Sequence, residues 1–127
     1  MAVNTIVWVA AGGALGAVSR YGFNAGILRA FGDNFPWGIL LVNVLGCFLM
    51  GLASAYMIER MPAHDGLKIF ITTGFLGGFT TFSAFAYDTM KLIQAGQSSS
   101  ALFYVAASVL LSIVAVFAGF ALSRVLA

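Results

Sequence analysis

Four long stretches without a charged side chain decide most of what this chain can become. No Asp, Glu, Lys or Arg falls in residues 1–19, between Asp33 and Glu59, between Lys68 and Asp88, or between Lys91 and Arg124. Each stretch can hold the roughly 20 apolar residues that an α-helix needs to cross a hydrocarbon core about 30 Å thick. The chain is 61% hydrophobic and 8% charged, where soluble domains carry about a quarter charged residues. A soluble protein of 127 residues could not hide that much apolar surface. The expected fold class is therefore all-α integral membrane, a single domain over residues 1–127. Its four transmembrane helices are expected at Asn4–Leu28, Trp37–Ile58, Leu67–Ile93 and Ala101–Leu122.

The first segment reads as a span and not as a cleaved signal peptide, because it lacks a basic leading region and its apolar stretch is too long. The single cysteine, Cys47, lies within the second segment, so no intramolecular disulfide is possible. It is expected as a small, polarizable core residue. The single histidine, His64, is expected as a solvated loop residue in "ERMPAHDG", since no partner for a metal site accompanies it. "RAFGDNFPWG", "ERMPAHDGLK" and "QAGQSSS" read as short connections. Gly12-x-x-x-Gly16, Gly22-x-x-x-Gly26, Cys47-x-x-x-Gly51 and Ala115-x-x-x-Gly119 each put small side chains on one helix face, where neighbouring helices can approach closely.

Charge placement bears on topology. Four spans put the N-terminus, the second connection and the C-terminus on one side, with Arg60, Lys68 and Arg124. The other side carries Arg29 and Lys91, and Arg20 falls inside the first span. So even a tally gives little positive-inside bias. A chain with so little preference can insert both ways up, which makes an antiparallel homodimer possible, the two-chain equivalent of an inverted repeat. Chance balance in a small protein accounts for the same tally.

Enzyme function is disfavoured. There is no phosphate-binding G-x-x-x-x-G-K-[ST] loop, no histidine beside a membrane-embedded nucleophile and no carboxylate pair on one helix. Asp33, Glu59 and Asp65 fall in connections, which leaves Asp88 as the one acid inside a span, towards its end.

The third span contains "GFLGGFTTFSAF" (Gly74–Phe85), where glycines and threonines interrupt an apolar run. Gly77-Gly78 have poor helix propensity, and Thr80-Thr81 offer oxygens to backbone groups. A break here would free carbonyls and amides, with Thr80 or Thr81 as a cap. Freed carbonyls can form a site for a hard cation; a kink held by a neighbouring helix is the plainer reading. Phe82 and Phe85 share a face with Asp88 one turn further on. Packing explains such a pair, but positive ring edges turned into a channel could also touch an anion. Asn43, Tyr104, Ser108 and Ser112 place polar groups in otherwise apolar spans, the last three at i, i+4, i+8. Such serines often bond only their own backbone.

"GFLGGFTTFSAF", the early "GGALGAVSRYG" (Gly12–Gly22) and "LLVNVLGCFLMG" (Leu40–Gly51) together resemble the Fluc fluoride channels, also called the CrcB family. The resemblance covers nearly the whole chain in order. It implies an antiparallel, dual-topology homodimer in the cell membrane, surrounded by lipid and without a nucleic-acid partner. Such a protein exports fluoride passively and so lowers cytoplasmic fluoride. By motif it makes Phe82 and Phe85 the pore phenylalanines, Asn43 the polar residue facing them, and Ser83, Tyr104, Ser108 and Ser112 further pore donors. The backbone carbonyls of Gly77 and Thr80 would hold a structural, untransported Na⁺ at the dimer centre, and Arg20 and Asp88 would have vestibule or structural roles. Two positions depart from the family pattern: Ala84 stands where threonine is common, and Asp88 where glutamate is common. The alternative class, a small dual-topology multidrug exporter, would be expected to carry an acid in the first helix, and Asn4 to Arg29 contains none.

Overall fold

The computed structural model describes residues 3–63 and 65–126, so the expectation for His64 lies outside the described residues. Every regular element among them is helical. In chain order these are α1 (Val3–Phe31), α2 (Trp37–Arg60), α3 (Gly66–Ile69), a π-helical segment (Phe70–Leu76), α4 (Gly77–Phe79), α5 (Ser83–Gln94) and α6 (Ser98–Leu126). Four stretches are long and apolar enough to cross a membrane: Val3–Phe31, Trp37–Met57, Gly66–Gln94 and Ser98–Leu126. The chain is a multi-pass membrane protein. Its outward surface is apolar, with side chains such as Val18, Leu102, Phe117 and Val125 exposed, as a lipid surrounding allows.

The helices run past their apolar stretches and stop where the backbone gives a stop signal. α1 continues beyond Leu28 to Phe31 and ends at Gly32, whose φ of +80° suits glycine and whose N–H donates to the Leu28 carbonyl at 2.8 Å. At the end of α5, Gly96 has φ +79°. There the Gln97 N–H reaches the Leu92 carbonyl (2.9 Å) and the Gly96 N–H that of Ile93 (3.0 Å), which together close a Schellman motif. α2 includes Glu59 and Arg60 in its last turn, so these two charges close a helix and do not lie in the connection where the sequence suggested them. Asp65 caps α3, its carboxylate accepting from the N–H groups of Leu67 (2.9 Å) and Lys68 (3.2 Å).

Three cations near helix ends lie over the aromatic ring one turn earlier. Arg60 is 4.6 Å from the Tyr56 ring centroid, Lys91 5.0 Å from Tyr87 and Arg124 5.7 Å from Phe120. A cation whose stem lies along an aromatic ring while its head stays in water suits the membrane–water boundary.

Close backbone approach organises the bundle. α2 packs most extensively on α6, and Gly51 and Gly119 face each other's helices there. A methyl group added at Gly119 would come within 3.0 Å of the Leu52 amide nitrogen, and one at Gly51 within 2.8 Å of the Phe120 nitrogen. The small pairs ending at Gly51 and Gly119 thus serve helix–helix contact. α1 makes the same kind of contact with the third span, where a methyl at Gly74 would sit 2.9 Å from the Gly12 Cα. A methyl group at Gly22 or Gly26 would meet nothing within 4 Å among the described residues outside its own helix turn. Overpacking a tight contact costs about 1–3 kcal/mol, so Gly119→Leu is expected to lower the unfolding midpoint of the protein in detergent. A midpoint equal to the parent's would mean that α2 and α6 do not approach this closely.

Candidate functional site

Between α4 and α5 the third span leaves helical geometry. Thr80 is extended (φ −82°, ψ 157°), and helix resumes at Ser83. The pair Gly77-Gly78 is itself helical. The turn is fastened by polar groups from two elements. The N–H and Oγ1 of Thr80 both donate to the Leu76 carbonyl, at 3.1 and 2.9 Å. The Thr81 N–H donates to Asn43 Oδ1 at 2.8 Å, and Asn43 Nδ2 donates to the Thr81 carbonyl at 3.0 Å. The Asn43 amide therefore pairs with the Thr81 backbone as a neighbouring strand would. Of the two threonines open as caps, Thr81 does the capping: its Oγ1 accepts the Ala84 N–H at 3.1 Å and lies 3.2 Å from Ser83 Oγ.

This fastening has a consequence for two carbonyls. In an unbroken helix the N–H groups of Thr81 and Ala84 would serve the carbonyls of Gly77 and Thr80, four residues back. Here both donors are turned to side chains, of Asn43 and Thr81. The Gly77 and Thr80 carbonyls thus lose the donors a helix would supply, and both residues line an open groove.

That groove has a volume of about 420 Å³. Asn43 and Cys47 of α2, Gly77, Thr80, Thr81 and Phe82 of the third span, Phe85 of α5, and Ser108, Val109, Ser112 and Ile113 of α6 form its walls. It brings together five residues singled out for a pore, Asn43, Phe82, Phe85, Ser108 and Ser112, with the two singled out for a cation, Gly77 and Thr80. Phe82 stands 80% exposed and Phe85 only 8%, their ring centroids 5.5 Å apart and tilted by 49°. The hydroxyls of Ser108 and Ser112 are buried and have no hydrogen-bond partner among the described residues. Hydroxyls elsewhere in the same bundle bond back to their own helix: Thr72 to the Lys68 carbonyl, Thr80 to that of Leu76, Thr89 to that of Phe85. Ser108 and Ser112 of α6 do not. Each buried hydroxyl left unpaired costs about 1–3 kcal/mol, and both stand on residues of the groove wall.

The remaining sequence candidates lie outside the groove. Tyr104 is fully buried beneath Phe85 (centroids 5.3 Å apart) and donates through its hydroxyl to Asp88 Oδ2 at 3.2 Å. Asp88 also meets Lys91 Nζ at 3.8 Å. Both line a second cavity of about 360 Å³ with Asn24, Asp33, Asn34, Phe35, Trp37 and Gln97 among its walls. Ser83 is exposed and joined to Thr81; Arg20 is half-buried on α1 and lines neither cavity. Thr81, expected only as a cap, and Cys47, expected in the core but only half-buried, also line the groove.

The family model described as "CrcB-like protein, Camphor Resistance (CrcB)" matches residues 7–120. The chain belongs to the CrcB-like family. Similar proteins match over most of its length. A protein named "Fluoride-specific ion channel FluC" from Rhizobium meliloti is 49% identical over 122 residues, which is 96% of this chain and 98% of that one. A protein of the same name from Hahella chejuensis is 46% identical over 126 residues, 99% of each chain. Another, from Dehalococcoides mccartyi, is 45% identical over 114 residues, 90% of this chain and 88% of that one. The CrcB-like match includes the Asn43–Thr81 clasp, the groove phenylalanines, and Ser108 and Ser112 of α6.

Proposed function

We propose that this CrcB-like chain is the subunit of a fluoride-selective channel, an ion channel and not an enzyme, through which fluoride leaves the cell passively. The observation that carries the reading is the groove itself: unpaired serine hydroxyls, an asparagine amide and two phenylalanines meet in one open groove of an apolar bundle. Fluoride is small and strongly hydrated, so a narrow path must replace water with strong donors. Ser108 and Ser112 can each donate a hydroxyl proton, and the second Nδ2 proton of Asn43 is left over from its bond to Thr81. The positive edges of Phe82 and Phe85 can touch an anion without a fixed charge that would hold it too tightly. A larger halide gains less from these donors and fits a narrow path worse. The test is flux from liposomes holding purified protein. Fluoride should leave through it while chloride is retained, and equal leak of both anions would end the reading.

The proposal includes an antiparallel homodimer. The groove is open on one side, and Phe82 stands exposed at it, so a second copy is the natural cover. The turn Thr80–Phe82 then serves as a functional break in the third helix. Its freed Gly77 and Thr80 carbonyls, with those of the second copy, would hold a structural Na⁺. This fits the chemistry present: neutral hard oxygens that have lost their helical donors suit a monovalent hard cation. When bound, that ion would supply the positive charge that keeps the converging carbonyls together. The chain's own residues do the rest, Asn43 holding the turn open and Thr81 restarting the helix.

Dual insertion has its own expected result. With Arg60, Lys68 and Arg124 against Arg29 and Lys91, reporters fused after Ala127 should be active on both faces of the membrane. Two or three lysines added there should trap most copies in one orientation and reduce flux. A parent reporter active on one face alone would rule out dual topology.

A further inference from the structure

We infer that Phe35, on the connection between α1 and α2, is a positioning residue for the groove aromatics and a determinant of which anion passes. The inference rests on the channel reading above. Phe35 lies outside any helix and is half-buried at the wall of the second cavity, its carbonyl held by the Trp37 N–H at 2.8 Å. Its ring meets the Tyr104 ring edge-on, with centroids 5.6 Å apart and planes at 88°. Tyr104 in turn lies 5.3 Å from Phe85, and Phe85 5.5 Å from Phe82. Four rings therefore run in unbroken contact from the second cavity to the groove.

Tyr104 is the middle of this line and touches no solvent. Its hydroxyl is tied to Asp88, and its ring has aromatic neighbours on the groove side (Phe85) and on the cavity side (Phe35). Edge-to-face contacts depend on ring orientation, so Phe35 sets the Tyr104 plane and Tyr104 backs the Phe85 ring. Without the Phe35 ring, one face of Tyr104 opens to the second cavity and the Phe85 backing loosens. A path lined by a loosened ring is wider and its ring edge less well aimed, which harms discrimination against a larger anion more than it harms passage.

The selectivity ratio separates this role from plain packing, because a ratio does not depend on how much protein folds. Phe35→Leu keeps an apolar side chain without a ring, and Phe35→Tyr keeps the ring. The expected result is a fluoride-to-chloride flux ratio at least tenfold lower in Phe35→Leu, with Phe35→Tyr restoring the parent ratio. A parent ratio in Phe35→Leu, whatever its yield, overturns the inference. A crystal structure of Phe35→Leu supplies the arm that does not depend on flux. Displaced Tyr104 and Phe85 rings support the positioning role, and rings in their parent positions overturn it. Failure of the parent protein to select fluoride would instead count against the channel reading, leaving the structural arm to judge Phe35.

Discussion

Each of the substitutions Phe82→Ile and Phe85→Ile is expected to slow fluoride flux by roughly one to two orders of magnitude, the rate equivalent of losing one contact to a charged group worth about 1.5–3 kcal/mol. Isoleucine keeps an apolar side chain but has no ring edge to offer an anion. The two positions separate ion contact from packing unusually well. Phe82 is 80% exposed, so within its own chain it has little packing to lose. Phe85 is 8% exposed and packs on Tyr104, so its replacement carries a packing cost as well, about 1.5 kcal/mol or less for a swap of similar volume. If the rings only pack, Phe82→Ile should conduct like the parent and Phe85→Ile should lose stability before flux. If they contact the ion, both should lose flux while the dimer persists on gel filtration. Normal flux per folded dimer in both variants would return the pair to a packing role.

Gly77→Val is expected to abolish assembly of the dimer while leaving the single chain's helices intact. A methyl group at Gly77 would meet nothing closer than the Thr72 carbonyl at 3.7 Å, an ordinary contact, and the residue is exposed. Its neighbours differ: a methyl at Gly74 would press on Gly12, and one at Gly78 would lie 2.7 Å from the Gly13 carbonyl oxygen. A Gly77 side chain therefore has room within the chain and can clash only with something laid against it. Replacing Na⁺ by a large organic cation throughout purification should harm flux in the same way, since converging carbonyls without a cation repel one another and stay poorly solvated. A Gly77→Val dimer of normal flux, together with indifference to Na⁺, would remove both the central ion and the close axial approach from the proposal.

Much of this arrangement could be read one residue at a time. Apolar span length is a local property, so four charge-free stretches were enough to count the helices and place them within a few residues. Helix ends were less accurate because apolarity marks the hydrocarbon slab, whereas the helix starts and stops at local signals such as the Asp65 cap, Gly32 and Gly96. Poor helix propensity at Gly77-Gly78 drew attention to this passage, yet those two glycines are helical and the extended residue is Thr80. The reason is non-local: the Asn43 amide, 38 positions away, takes the backbone groups of Thr81 and makes leaving the helix cheap there and not at the glycines.

The same division holds for the groove. Spacing alone put Tyr104, Ser108 and Ser112 on one helix face, but three residues on a face do not share an environment. Packing against α5 sent Tyr104 into the interior to meet Asp88, while Ser108 and Ser112 came to stand unpaired at the groove. Which hydroxyl finds a partner depends on the element laid across it. Sequence patterns repeat within one helix and carry no record of its neighbour, so tertiary packing alone chose the donors left free and brought the loop residue Phe35 against Tyr104.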